Sequence, residues 1–264
     1  MSLLAAHIND AGIAVLDASR ILYREPGFAL LDDDQLSTGS AAYAEARVKP
    51  RRIHKEFWSN LHTQPLADRR FHHLSPADLV SQQLEQAWRQ VSGSGDQLAI
   101  AVPAYMGTDS LSLLLGIAGE LEIPVAALVD AAVAATRREY KGAVPVHVDL
   151  SLHSTLLTRI AQAGQAQVDR SELVDGGVLA LHDAWTRVIA EAFVQQSRFD
   201  PLHTAETEQA LYDQLPAWLA AAATHDAVAL EVAYRGITHN AEVESLELVA
   251  ACLLYTSPSP RDED

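Results

Sequence analysis

Five consecutive apolar residues, Leu98-Ala-Ile-Ala-Val102, are stopped by Pro103. A run without polar alternation predicts a strand buried on both faces. Such strands occur almost only in parallel sheets flanked by helices. The segments that follow agree. A helix is predicted over about Asp109–Leu121, a short strand over Val125–Val129, and an Ala-rich helix from Ala131 to Tyr140. Strand, helix, strand, helix predicts an α/β fold around a parallel sheet.

Upstream, apolar runs at 2–8, Ile13–Leu16 and Ser19–Tyr23 predict a β-meander. Its first turn is Asn9-Asp10-Ala11-Gly12, and Glu25-Pro26-Gly27 breaks it. Phe28-Ala-Leu-Leu31 resumes the pattern, and Asp32-Asp-Asp34 reads as a solvated turn. Ser75-Pro76-Ala77-Asp78 is a helix start: a capping hydroxyl, proline at the first helical position and an acid at the positive end of the dipole. Val80, Leu84, Ala87 and Trp88 then share one face, and Ser92-Gly-Ser-Gly95 reads as a linker. Downstream, Val146, Val148, Leu150 and Leu152 alternate with His147, Asp149, Ser151 and His153, which predicts a strand with one apolar and one polar face. Leu156–Ile160 is its expected hairpin partner. Gly176-Gly177 precedes a long helix at about Leu181–Gln196. A further helix spans Thr204–Ala223 with a kink at Pro216, a hairpin spans Ala227–His239, and another helix starts at Glu242.

The charge balance narrows the function. Against 35 acidic residues stand 19 basic ones, a net charge of −16. A duplex-DNA binder needs a basic footprint, and the cluster Lys49, Arg51, Arg52, Lys55 reads as a solvated loop, so no nucleic-acid partner is expected. No apolar run reaches membrane-spanning length, and Met1–His7 lacks the basic flank of a signal peptide. The expectation is therefore a cytoplasmic protein with no membrane partner. The single cysteine, Cys252, excludes an internal disulfide. Residues 252–262, Cys-Leu-Leu-Tyr-Thr-Ser-Pro-Ser-Pro-Arg-Asp, resemble one reading frame of a transposase-type sequencing adapter. On that reading 252–264 is a non-native or disordered tail, and the natural C-terminal part lies beyond Ala251.

Val102-Pro103-Ala104-Tyr105 ends the first buried strand, and Asp130-Ala-Ala-Val-Ala-Ala135 follows the second. Residues 98–135 thereby resemble the DnaK-type heat-shock chaperones and bacterial actin homologues, which carry Val-Pro-Ala-Tyr and then Glu-Pro-Thr-Ala-Ala-Ala at similar spacing. Asp149-Leu-Ser-Leu-His-Ser154 stands where that superfamily has Asp-Leu-Gly-Gly-Gly-Thr. Gly176-Gly177 stands where it has a glycine pair before a long helix. The element order is similar over about residues 2–251, and specific residues match over 98–155. The resemblance implies an actin-like, ribonuclease H-like fold of two lobes, incomplete at the C-terminus. The first lobe would cover 1–141, with an outer subdomain at about 40–95. The second would cover 142–251, with an outer subdomain at about 188–245.

The resemblance also implies a site for ATP and magnesium. Asp130 takes the catalytic position. Asp10, Gly12, Asp149, Ser151, Ser154, Gly176 and Gly177 take nucleotide-binding positions, and Asp10 and Asp149 would hold the metal. This sequence departs from the pattern four times. The first loop lacks its threonines. Ser151, Leu152 and His153 replace three glycines whose bare backbone lets phosphate approach. Asp130 is one methylene shorter than glutamate. The basic adenosine clamp expected near Gln214–Ala217 is missing. The expectation is a degenerate nucleotide-binding-fold protein, a scaffold or regulatory module with an unknown protein partner and without efficient ATP turnover. The alternatives are an active chaperone-type ATPase completed by further C-terminal sequence and an assembly protein of bacterial-actin type. As plain structure, Asp10 and Asp149 are turn and polar-face residues. A zinc or iron site from His147, Asp149 and His153 requires a sharp turn, since an unbroken strand separates its ends by about 20 Å. His72 and His73 read as loop residues, and Trp185 and Phe193 as core. No Gly-x-Ser-x-Gly elbow occurs.

Overall fold

The structure, a computed structural model, describes residues 2–32, 35–162 and 164–256. The chain divides into two compact units, one of residues 1–43 with 51–175 and one of 44–50 with 176–264. Residues 142–175, expected with the second lobe, thus fall in the first unit. Asp33 and Asp34 of the expected acidic turn lie outside the described residues, as do 257–264 of the expected tail.

The first unit opens with β1 (Leu3–Asn9), β2 (Gly12–Leu16) and β3 (Ile21–Pro26), the expected meander. Next come β4 (Ala29–Asp32), β5 (Gln35–Thr38), the short α1 (Ser40–Tyr43) and β6 (Ile53–His54). The helix α2 (Pro76–Val91) begins at a capping box, in which Ser75 and Asp78 satisfy each other's backbone amides. Then follow β7 (Gln97–Val102), α3 (Thr108–Glu120), β8 (Val125–Asp130) and α4 (Ala131–Ala135). The strands assemble in the order β3-β2-β1-β7-β8, with β1, β7 and β8 parallel and the meander antiparallel. The α/β class with a mixed five-stranded sheet is therefore present. A smaller sheet, β5-β4-β6, stands apart from it.

α4 stops five residues short of the expected Tyr140 because Thr136 terminates it. Its hydroxyl donates to the Ala132 carbonyl at 2.8 Å and its amide turns back to Val133 at 3.0 Å. β7 is less uniformly buried than its apolar run suggests. Leu98, Ile100 and Val102 are enclosed, whereas Ala99 and Ala101 are half-buried. The enclosed side joins Leu4, Ala6 and Ile8 of β1 with Leu79, Leu84 and Ala87 of α2 and Leu114 and Ile117 of α3 in one core. Each fully buried Leu or Ile there contributes about 1.5–3 kcal/mol.

The unit continues with β9 (Val146–Leu150), β10 (Ser154–Ala161) and β11 (Gln167–Asp175), an antiparallel sheet in the order β11-β10-β9. Alternation along β9 is as expected, but the apolar side is the open one. Val146, Val148 and Leu150 are 41–60% exposed, while Asp149 on the other side is 7% exposed. β11 has no counterpart in the sequence reading.

The second unit comprises α5 (Val178–Ser197), α6 (Ala205–Ala222), the hairpin of β12 (Ala227–Tyr234) and β13 (Ile237–Glu244), and α7 (Ser245–Thr256). Phe193 is core as expected, with Leu211, Leu215, Val228, Leu230 and Val232. Trp185 is half-buried, and its indole donates to the Leu248 carbonyl at 2.9 Å. The hairpin turns on Arg235 and Gly236, both with positive φ (50° and 79°), the geometry that matches strand twist. α7 runs through residues 252–256.

One buried amide ties the loop before α2 to the meander. Gln83, fully enclosed, accepts from the Trp58 indole at 2.7 Å and donates to the Pro26 carbonyl at 2.7 Å. Gln83→Leu leaves both partners unpaired in the core, so a loss of about 2–4 kcal/mol is expected in urea unfolding. A loss under about 0.5 kcal/mol contradicts this role.

Candidate functional site

In parallel sheets the C-terminal ends of the strands leave the crevice where ligands sit. Here the register aligns His7 of β1 with Ala101 of β7 and Val129 of β8, and Val102 with Asp130 one step further. Asn9, Asp10, Tyr105 and Asp130 all lie at or just past these strand ends.

The β1–β2 turn is closed from within. The Ala11 amide donates to the Asn9 side chain at 2.9 Å, as short turns commonly arrange. Gly12 has φ +141°, and a Cβ there would lie 2.1 Å from the Glu25 carbonyl oxygen. Packing against the end of β3 alone therefore requires this glycine. Asp10, 2% exposed, is committed on both oxygens. Oδ1 accepts from the Leu152 amide at 2.5 Å, and Oδ2 from His153 Nδ1 at 3.0 Å. Its own amide donates to the Tyr105 hydroxyl at 3.2 Å. Burial first, and the Asp10 charge second, push the Tyr105 phenol far above its usual range.

The β9–β10 turn supplies the facing groups. Ser151 and Ser154 close it, with the Ser151 amide donating to the Ser154 carbonyl at 2.9 Å. This is the sharp turn that a straight strand lacked, and it delivers Leu152 and His153 to Asp10. Asp149 accepts from Asn9 Nδ2 at 2.9 Å. His7 Nε2 lies 3.7 Å from its other oxygen, an electrostatic contact beyond hydrogen-bond length. Burial alone would raise the Asp149 pKa, but His7, Asn9 and His147 together outweigh it and hold the carboxyl below its usual value. Four buried polar atoms here have no hydrogen-bond partner among the described residues: His147 Nδ1, Asp149 Oδ2, Ser151 Oγ and His153 Nε2. Such atoms are rare and mark a site or a strain reservoir.

Asp130 caps α4, its Oδ1 accepting from the Ala132 and Val133 amides at 2.8 and 3.3 Å. Gly176, with φ +96°, and Gly177, the cap of α5, belong to the second unit. His7, Asn9 and Tyr105 contribute to the cluster without having been singled out as site residues. The signal for His7 was a polar residue inside the apolar run of β1. Among the described residues, no group of three or more His, Cys, Asp or Glu side chains is arranged to hold a metal ion, and no helix is long and apolar enough to cross a membrane.

The donor set does not fit magnesium-bound triphosphate of the usual kind. Both Asp10 oxygens face protein donors, and the Leu152 and Ala11 amides point to side chains. The side chains of Ser151, Leu152 and His153 fill the positions that bare glycine backbone would leave open. The chain matches no protein-family model and no curated protein sequence.

Because the Asp149 pKa is depressed, its contribution to stability is complete above the unfolded value, near 3.9, and is lost as pH falls through the lower folded value. Urea midpoints of the native chain should therefore drop below about pH 4. Asp149→Asn should flatten that drop while lowering stability at pH 7. Parallel pH profiles for the two proteins would contradict it.

Proposed function

We propose that this protein is a degenerate member of the actin/DnaK-type superfamily and serves as a scaffold or regulatory module without efficient ATP turnover. The topology supports the fold half of the reading. A meander, two further strands parallel to its first strand, and then a second meander are what that superfamily would begin with. Val102–Tyr105 and Asp130 lie at the strand ends where the resemblance implies them. The mutual closure of the two turns carries the functional half. Leu152 and His153 occupy Asp10, and Asn9 occupies Asp149. Groups that elsewhere serve a nucleotide here serve each other.

One observation favours an active chaperone-type ATPase as the second reading: among the described residues, Asp149 Oδ2 and Ser151 Oγ are buried without hydrogen-bond partners. Titration calorimetry with ATP and magnesium separates the two readings. The first expects no binding tighter than about 1 mM. Micromolar, magnesium-dependent binding overturns it. Turnover that disappears in Asp149→Ala would establish the second.

A further inference from the structure

Residues 44–50 belong to the second compact unit, although the chain on either side of them belongs to the first. Arg47 is the anchor of this excursion. Its guanidinium lies 3.7 Å from the centre of the Tyr212 ring, with Glu208 at 3.2 Å and Asp183 at 3.4 Å. Its amide donates to Gln209 Oε1 at 2.8 Å. The Tyr212 hydroxyl donates to Asp183 at 2.7 Å, which aligns ring and carboxylate around the same cation. Stacking, ion pairing and a backbone hydrogen bond thus converge on one residue. Within the segment, Lys49 pairs with Glu45 at 3.3 Å.

Beside the Tyr212 ring of this anchor stands a second ring, an imidazole. His182 lies on α5 between Trp185 and Tyr212, with ring centres 6.0 Å from each. Its Nδ1 is buried and has no hydrogen-bond partner among the described residues. We propose that Ala44–Pro50 is a releasable strap, latched to α5 and α6 by Arg47, and that protonation of His182 opens the latch. The inference is independent of the nucleotide-site reading.

The charges around His182 set the sign. Arg47 of the strap opposes its protonation. Asp183 on its own helix favours it but is already engaged by Arg47 and Tyr212. α6 presents Glu208, committed to Arg47, and Asp213, committed to Gln209. Acidic residues of β13 and α7, Glu242, Glu244 and Glu247, line a groove with Glu191 on the opposite side of α5. Burial first, and Arg47 second, hold the His182 pKa below its usual value despite Asp183. When the strap leaves, Arg47 leaves with it and the imidazole takes a proton more readily. The released state therefore binds more protons. Docking is complete above about pH 6.5 and weakens as pH falls.

Hydrogen exchange of the Arg47 and Lys49 amides, corrected for intrinsic rates, tests this on the whole chain. Between pH 7.5 and 5.5, above the ordinary carboxylate range, strap protection should fall about tenfold, while β12 and β13 keep theirs. His182→Gln should keep the strap protected at pH 5.5, and Arg47→Ala should lose protection at both pH values. Equal protection of the native strap at both pH values overturns the proposal, as does an unchanged fall in His182→Gln. Should that variant fail to fold, NMR titration of the native His182 ring decides. A midpoint below 6.5 that tracks strap exposure supports the latch, and one at or above 6.5 refutes it.

Discussion

The buried carboxylate of Asp10 organises the first unit. A carboxyl group with 2% exposure is tolerable only when hydrogen-bond donors surround it. This chain finds them in the Leu152 amide and the His153 ring, far away in sequence. Satisfying Asp10 requires the β9–β10 turn to lie against the end of β1. That placement brings Asp149 to Asn9. It also explains why β9 turns its polar side inward. Burying Val146 and Val148 instead would swing Asp149 away from its donor, since a strand's two faces exchange together.

How far the sequence discloses this follows from the range of the forces involved. Local effects were readable. The Ser75–Asp78 capping box, the β7-α3-β8 succession and the Arg235-Gly236 hairpin depend on neighbours within a few residues. β11 was not readable because every position along it is exposed. Backbone pairing to β10 holds it, and such pairing leaves no pattern in side chains. The buried face of β9 was not readable either. Alternation states that two faces differ, whereas contacts to β1 decide which one is enclosed. Of the site, Asp10 was legible as a turn residue and Asp149 as a residue on the polar face of a strand. Their pairing with His7, Asn9 and His153 was not, because each contact spans more than a hundred residues.

Gly12 illustrates how one residue can satisfy two explanations. The resemblance assigns it to phosphate approach. The structure requires it for the close passage of β2 beneath Glu25, with Gly27 facing the Asp10 carbonyl in the same crossing. A glycine kept for packing says nothing about a ligand, so the weight of the nucleotide reading rests on the second turn. There the comparison is chemical. Glycines at 151–153 would offer amides and open space; Ser151, Leu152 and His153 offer bulk and an imidazole.

The presence of His153 and the satisfaction of Asp10 are physically one feature. A glycine at that position has no group that can reach Asp10 Oδ2, and the carboxylate would need a metal, a water or another donor to remain buried. An imidazole there supplies the partner at 3.0 Å, so the buried carboxyl is satisfied without an external ion. The same contact removes the vacant oxygen that an ion would need. The bulk of the β9–β10 turn and the self-sufficiency of the buried carboxyl therefore reinforce each other. Freeing Asp10 for an ion would require removing His153 and supplying a replacement donor for Asp10 at once.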